Sequence, residues 1–585
     1  MRKKSPVLLL ILCLSILLCT VAQAVELDDT ARKQAYELAA NNTPELSAEQ
    51  KNALLSALYE ADLDDICKAI ELRLITCQEL TAYYLKRIET YNEDYNCFIT
   101  ICEDAMDIAA QRDAEIEAGT ADGALFGIPV VVKDNIHVAG YPTTNGYSKE
   151  SVSVSDENAY VVERLLEEGA VIIAKSNMST EAQDARASYS SAVGHTRNAY
   201  NTHLSPGGSS GGSAASTSLN FCAASLGTDT NSSLRMPAAL NGCVALRVTT
   251  GLIPMDNIIK LNSSRDVVGS ITRSVEDQAI MLSILTGGTY YDNLNADVLN
   301  GLRIGVLEEL SYAVSYDSER SEESIDDEVA SAFENAITEL ESCGAEVVKV
   351  SMSDFFYLSD RTFPAGGYEY IDDFTSEFEE FLAENNISAV IYPTYLSTPL
   401  RMGTDENGTY WDVYEQDFIN NCRALAPSAA IPDITVPIGS HSLGAGIGME
   451  IAAAPNSEQL LLDIAYSYTL SFNHRAVPTG APDLYAAFNA GTLSEYIDSY
   501  LLSLLPVQEE ETPQVGPKKE PLFIPEPVPE EEEEFELSTV NIIIISCVGI
   551  VFITAILRGI RNLKRRRRKK KNSHIEEDIR ETVAK

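Results

Sequence analysis

The sequence predicts an α/β fold: a central twisted mixed β-sheet covered by helices on both faces. Two observations carry it. Short apolar runs of strand length recur along the chain, and stretches with helical apolar spacing separate several of them. A third observation is scale. Of the 585 residues, positions 56–502 form one continuous globular stretch without an internal repeat, compatible with a single α/β unit.

In chain order, residues 1–24 read as an export signal. Arg2, Lys3 and Lys4 precede an apolar core from Val7 to Leu18, and Ala22-Gln23-Ala24 offers a small-x-small cleavage site. Residues 25–55 are a polar, helix-prone leader. Within the globular part, Leu63–Asn92 and Ala105–Gly119 carry helical spacing. Strand-like runs follow at Ile128–Val132, Ala170–Ala174, Leu302–Val306, Ala345–Val350, Ala389–Tyr392 and Asp433–Pro437, with helical stretches at Val275–Thr286 and Asp327–Cys343.

Residues 503–536 hold seven prolines between Pro506 and Pro529 and end in an acidic run, a composition that makes an extended stalk rather than a core. Residues 537–557 are almost wholly apolar and long enough to cross a bilayer as a single helix. Ten basic residues between Arg558 and Lys571 open the tail 558–585 and set that side as cytoplasmic. The expectation is a single-pass protein of the cell membrane, its domain extracellular and its C-terminus cytoplasmic. A Leu-Pro-x-Thr-Gly wall-sorting signal is absent before the span.

The formal net charge is −44, and both ends are basic, so the middle is more acidic still. Such a field opposes nucleic acid as a partner. The membrane, through the C-terminal helix, is one expected partner; oligomeric state is left open. Three of the eleven cysteines fall in the signal and the span. The remaining eight are scattered without a Cys-x-x-Cys pair, which is not a disulfide scaffold. None of the six histidines stands in a metal-binding spacing, so no metal and no cofactor is expected.

Chemistry concentrates in three segments. Ser205-Pro206-Gly207-Gly208-Ser209-Ser210-Gly211-Gly212-Ser213 is a glycine-lined loop presenting hydroxyls. Ser233 stands in Asp229-Thr230-Asn231-Ser232-Ser233-Leu234-Arg235-Met236-Pro237. Lys133 ends the apolar run of Val130-Val131-Val132-Lys133-Asp134-Asn135. A serine hydroxyl needs a base, and a desolvated lysine can be one without histidine. Gly207-x-Ser209-x-Gly211 formally matches a nucleophile elbow with His441 or His474 downstream. The polar, proline-terminated residues 200–206 are not the buried strand an elbow follows. No Gly-Lys-Ser/Thr completes a phosphate loop. A flexible Gly/Ser linker is the remaining plain reading.

Together these segments resemble the amidase signature family, from about Leu63 to Asn489. Leu125–Asn135, the 207–213 loop and Asp229–Pro237 carry the resemblance. Ala174–Ser179, Gly269–Asp277 and Ile434–Gly439 support it. It implies that Ser233 is the nucleophile toward an amide carbonyl and that Ser209, on a cis peptide, relays a proton between Ser233 and Lys133. Backbone N–H groups of Thr230, Asn231, Ser232 and Ser233 would hold the oxyanion. Ser210, Asp229 and Arg235 would brace the loops. Substrates would be small-molecule or peptide amides. Tyr368–Phe374 with Phe381-Leu382-Ala383 resembles a segment of peptide-amidase-like members.

One departure stands out. Members of the family place two glycines before the nucleophile, where this chain has Asn231 and Ser232. If those positions need positive φ, side chains there strain the oxyanion loop. The alternative is therefore a catalytically impaired scaffold or binding ectodomain of the same fold. The amide-hydrolysing component of the glutamyl-tRNA amidotransferases belongs to the same family, but export, anchoring and the acidic surface oppose it.

Overall fold

The computed structural model describes residues 55, 58–148, 152, 154–312, 326–352, 355, 370–404, 410–411, 422–484 and 487. The signal segment, nearly all of the leader, residues 488–502, the stalk, the apolar span, the basic tail, and Tyr368 and Glu369 lie outside the described residues. Among the described residues no helix is long and apolar enough to cross a membrane.

The strands are β1 (Phe98–Ile101), β2 (Pro129–Lys133), β3 (Val171–Ser176), the ribbon β4 (Tyr189–Ser190) and β5 (Gly194–His195), β6 (Ala224–Asp229), β7 (Val244–Arg247), β8 (Val267–Thr272), β9 (Arg303–Leu307), β10 (Glu346–Val350), β11 (Ala389–Pro393), the ribbon β12 (Gly403–Thr404) and β13 (Tyr410–Trp411), β14 (Asp433–Ser440) and β15 (Gly446–Ala452). Eleven of them form one sheet in the order β1-β3-β2-β6-β8-β7-β14-β15-β11-β9-β10. The trios β3-β2-β6 and β11-β9-β10 are parallel, and the other neighbours are antiparallel. The sheet is mixed, as expected.

The main helices are α1 (Leu63–Glu71), α2 (Cys77–Tyr95), α3 (Ala105–Ala118), α4 (Tyr160–Glu167), α5 (Gly211–Ser218), α6 (Arg235–Leu240), α7 (Val275–Thr286), α8 (Asp327–Ser342), α9 (Ile371–Glu384) and α10 (Glu458–Thr469). Both faces of the sheet are covered, and β8 shows it. A side chain at Gly269 would meet Leu234, in the turn before α6. The next residue, Ser270, accepts a hydrogen bond from Gln278 of α7 at 2.9 Å. Successive strand residues point to opposite faces, so α6 and α7 lie on opposite sides.

β2 and β3, Pro-Val-Val-Val-Lys and Val-Ile-Ile-Ala-Lys-Ser, are buried at every residue. That is the reason for their unbroken apolar runs: a parallel strand in mid-sheet is covered on both faces. The helical run Leu63–Asn92 divides into α1 and α2. Arg73 takes a positive φ of 55°, and Thr76 restarts the helix with a capping box to Glu79.

The first and last described segments are laced together. Arg87, fully buried, donates to the carbonyls of Leu219, Asn220, Ala481 and Pro482 at 2.7–2.8 Å. Its guanidinium also lies over the rings of Tyr59, Tyr83 and Tyr91. Tyr83 donates to Asp483 at 2.6 Å, Tyr59 to the carbonyl of Ala481, and Arg475 pairs with Glu60. All eight cysteines of the described domain are free thiols, six of them buried.

Candidate active site

Two neighbouring strands in the middle of the sheet and the helix packed across them build the site. β2 delivers Lys133 at its C-terminal end, fully buried and in register with Ser176 of β3. Next to β2 runs β6, parallel to it, whose end at Asp229 leads through Thr230–Leu234 into α6. Across the face of this strand pair lies α5, every residue of which is buried.

The composition of α5, Gly-Gly-Ser-Ala-Ala-Ser-Thr-Ser, follows from how closely it approaches its surroundings. A Cβ at Gly212 would lie 2.3 Å from the Asn177 carbonyl oxygen, and one at Gly208 would lie 2.3 Å from that of Asp184. The helix hydroxyls meet neighbouring strands: Ser213 donates to the Leu226 carbonyl at 2.9 Å and lies 2.7 Å from Ser176, and Thr217 lies 2.8 Å from Ser225. Residues 207–213 are thus a packed loop and helix start, which excludes the linker reading.

Lys133 Nζ lies 2.8 Å from the Oγ atoms of both Ser209 and Ser210 and 2.9 Å from Thr228 Oγ1. The Gly208–Ser209 peptide is cis. Ser210 donates from its hydroxyl to the Thr228 carbonyl at 3.2 Å, and Asn135 donates its amide to Thr228 Oγ1 at 3.1 Å. Burial lowers the Lys133 pKa from 10.5 to about 7, with Asp229 and Asp266 pulling the other way. The amine is therefore substantially neutral near pH 7.

The Ser209–Ser210 loop is tied to the Ser233 loop, since the Ser210 N–H donates to the Ser233 carbonyl at 3.3 Å. Ser233 is 6 % exposed. Thr230 donates to Asp266 at 2.6 Å, and Asp266 also takes the N–H groups of Leu261 and Asn262. Neither Asn231 nor Ser232 is among the residues with positive φ. Ordinary L-residue backbone therefore runs where the family has glycines, and the anticipated strain is absent. The Asn231 side chain accepts from Arg265 at 3.3 Å, and its carbonyl accepts from Arg235 at 2.9 Å.

Asp229 and Arg235 brace this loop from below. Arg235 contacts Asp229 at 3.2 Å, Asp433 at 2.9 Å and Glu450 at 2.9 Å, and Arg247 contacts Asp229 at 3.1 Å. All five side chains are fully buried. Burial works against the charge on Asp229, yet Arg235 and Arg247 hold its carboxyl below the ordinary range.

The structure thus brings Lys133, Ser209 and Ser210 into direct contact and places the 229–235 segment beside them. Nothing local in the sequence singles out Thr228, and Asn135 stands there only as part of a motif. Their contacts with Lys133, direct and through Thr228, arise from strand neighbours 93 and 95 positions apart. In the sequence Asp433 is only the start of a strand-like run, and Glu450 carries no local signal. Among the described residues no cluster of histidine, cysteine or carboxylate side chains has the form of a metal site.

Comparison with known proteins gives the family and the fold. Residues 79–369 match the family described as Amidase. Mandelamide hydrolase of Pseudomonas putida is 30% identical over 482 residues, covering 70% of this chain and 90% of the relative. A glutamyl-tRNA(Gln) amidotransferase component of Thermoanaerobacter pseudethanolicus is 34% identical over 308 residues, covering 50% of this chain and 61% of that relative. Among solved structures, the native peptide amidase of Stenotrophomonas maltophilia superposes with a TM-score of 0.60 at 26% identity, covering 72% of this chain and 99% of that one.

Proposed function

From the premise that this chain belongs to the amidase family and hydrolyses amide carbon–nitrogen bonds, we propose that it works through an acyl-enzyme on Ser233 with a Ser209/Lys133 proton relay. The observation that carries the reading is the fully buried Lys133 amine, poised at about pH 7 and 2.8 Å from Ser209.

The hydrogen bonds around that amine orient it. Ser210 commits its own proton to the Thr228 carbonyl, and Asn135 donates to Thr228 Oγ1. Both hydroxyl oxygens then accept the two N–H groups of a neutral lysine, which leaves its lone pair for the Ser209 proton. In the forward step Ser209 takes the Ser233 proton as it passes its own to Lys133. Ser233 Oγ bonds to the carbonyl carbon, and the oxyanion is held by N–H groups of the 230–233 turn. The carbon–nitrogen bond breaks as the proton returns through Ser209 to the leaving amine. Water, deprotonated by the same relay, then attacks the ester and releases the acid and free Ser233.

The relatives' names, a mandelamide hydrolase and a peptide amidase, favour linear amides of small acids or amidated peptides as substrates. The signal-like start, the apolar span 537–557 and its basic flank favour a membrane-tethered enzyme whose domain faces the outside. The impaired-scaffold alternative draws its motive from Asn231 and Ser232, and their ordinary backbone weakens it.

The test is labelling of the purified full-length chain by a fluorophosphonate probe, beside hydrolysis of an arylacetamide and an amidated peptide. Labelling and turnover in the wild type, both abolished in Ser233→Ala, are the expected result. Labelling that survives Ser233→Ala and disappears in Ser209→Ala would move the nucleophile and sink the assignment.

A further inference from the structure

Beneath the Ser233 loop, four neighbouring strands present one row of polar side chains toward α6. Arg247 of β7 pairs in register with Asp433 of β14, and Tyr392 of β11 pairs with Glu450 of β15. Glu450 is also opposite Thr435, two residues along β14 from Asp433 and therefore on the same face. Arg235 descends from α6 onto this row.

Every N–H of Arg235 is used. Nε donates to Asp229, one terminal nitrogen donates to both Asp433 and Glu450 at 2.9 Å, and the other donates to the Asn231 carbonyl at 2.9 Å and to Asp229 at 3.5 Å. A guanidinium has five such donors in a rigid fork. Once all are engaged, the fork's position fixes the Asn231 carbonyl.

The charges do not balance if all groups ionise. Three buried carboxyls, Asp229, Asp433 and Glu450, meet two buried guanidiniums, Arg235 and Arg247. The other ionisable groups facing them are Tyr392, which donates to Asp433 at 2.6 Å, Cys422, Asp266 beside Arg247, and Lys133 on the far side of Asp229; Thr394 donates to Glu450 at 2.8 Å. Of these only Lys133 can carry a positive charge, and burial has lowered its pKa to about 7, while Asp266 adds a further carboxyl. Asp433 Oδ1 is buried and has no hydrogen-bond partner among the described residues, although its carboxyl shares the same Arg235 nitrogen with Glu450. A proton held between the two carboxyls accounts for both facts, because two like charges this close cannot both ionise.

We propose that Asp433 and Glu450 are positioning residues for amide hydrolysis: a carboxyl pair sharing one proton, which saturates Arg235 and through it sets the Asn231 carbonyl and the oxyanion loop. The inference rests on reading Ser233 as the nucleophile. Burial beside Glu450 raises the Asp433 pKa well above the ordinary range, in keeping with a retained proton.

A primary amide has the shape of a protonated carboxyl and offers its N–H permanently. Glu450→Gln or Asp433→Asn therefore keeps the charge balance, whereas the double variant leaves Asp229 as the one carboxyl in contact with Arg235 and Arg247. With the full-length chain, the rate of fluorophosphonate labelling is measured against pH, alongside melting temperature. Wild-type labelling is expected to fall on the alkaline side as the pair loses its proton. Each single variant is expected to label within about threefold of wild type near neutrality and to lack that fall. The double variant is expected to label about 100-fold more slowly and to melt lower.

An alkaline fall that persists unchanged in both single variants, or a double variant as fast as wild type, overturns the proposal. Ser233→Ala is the separate control. If labelling survives it, the nucleophile assignment fails, and the melting series still decides the pair: single variants near wild type with a lowered double variant support it, and a stable double variant refutes it.

Discussion

A base that works by being neutral sets a measurable pH dependence. Lys133 is fully buried, and its descent from the ordinary 10.5 to about 7 corresponds to about 5 kcal/mol in favour of the uncharged amine. Titration at about 7 leaves roughly half the amine neutral at pH 7, about a tenth at pH 6 and about a hundredth at pH 5. Fluorophosphonate labelling of full-length protein is thus expected to fall nearly tenfold per pH unit below pH 6 and to reach its maximum near pH 8, before the separate alkaline fall set by Asp433 and Glu450. Lys133→Met, similar in length but without a basic nitrogen, is expected to be inert throughout. The same shift has a stability sign. Between pH about 7 and 10.5 the unfolded chain holds the lysine proton and the folded chain does not, so this group's contribution is full above 10.5 and is lost as pH falls toward about 7. The melting temperature of the wild type is expected to rise with pH across that window relative to Lys133→Met. A labelling rate that stays flat from pH 5 to 8 in folded protein would rule out a neutral Lys133 as the base.

Three further outcomes follow from the geometry. Asn231→Gly/Ser232→Gly restores the family's glycines at positions that do not use positive φ, so it is expected to add no activity and to lower stability by about 1 kcal/mol, read by labelling rate and thermal melting. Arg87→Met removes four donors to buried carbonyls and is expected to cost about 3–5 kcal/mol in denaturant titration, with residues 475–484 cleaved first in limited proteolysis. The buried thiols are expected to resist alkylation in native protein and to react on unfolding, since burial pushes Cys222 and Cys243 up to about 11 and Cys102 to about 12. Mass spectrometry after iodoacetamide treatment counts them.

The strands that announced themselves in the sequence are those whose residues are apolar because both faces are covered, such as β2, β3 and β11. β6 and β15 were silent. Ala-Ser-Leu-Gly-Thr-Asp and Gly-Ile-Gly-Met-Glu-Ile-Ala break the apolar run because α5 and α6 press against them: a side chain at Gly227 would meet Leu234 and Ser210, and one at Gly448 would meet Ala239. Space, rather than periodicity, chose those residues. Lys133, Ser209 and Ser233 were legible because their segments are unusual locally. Thr228, and the role of Glu450 under Arg235, are ordinary locally and acquire meaning only through strand neighbours far away in sequence. Asn231 and Ser232 would strain a loop that used positive φ there, and this loop does not.

The lacing of the two ends bears on when the domain is able to finish folding. Arg87 and Pro482 are 395 positions apart, and Tyr59 and Ala481 are 422 apart. A ribosome has therefore made almost the whole domain before α2 can surrender its guanidinium to the last carbonyls. Until then Arg87 lacks the carbonyls of Ala481 and Pro482, Tyr83 the carboxyl of Asp483 and Tyr59 the Ala481 carbonyl. Completion is thus signalled from the far end of the domain, and a chain truncated before residue 475 lacks the clasp altogether.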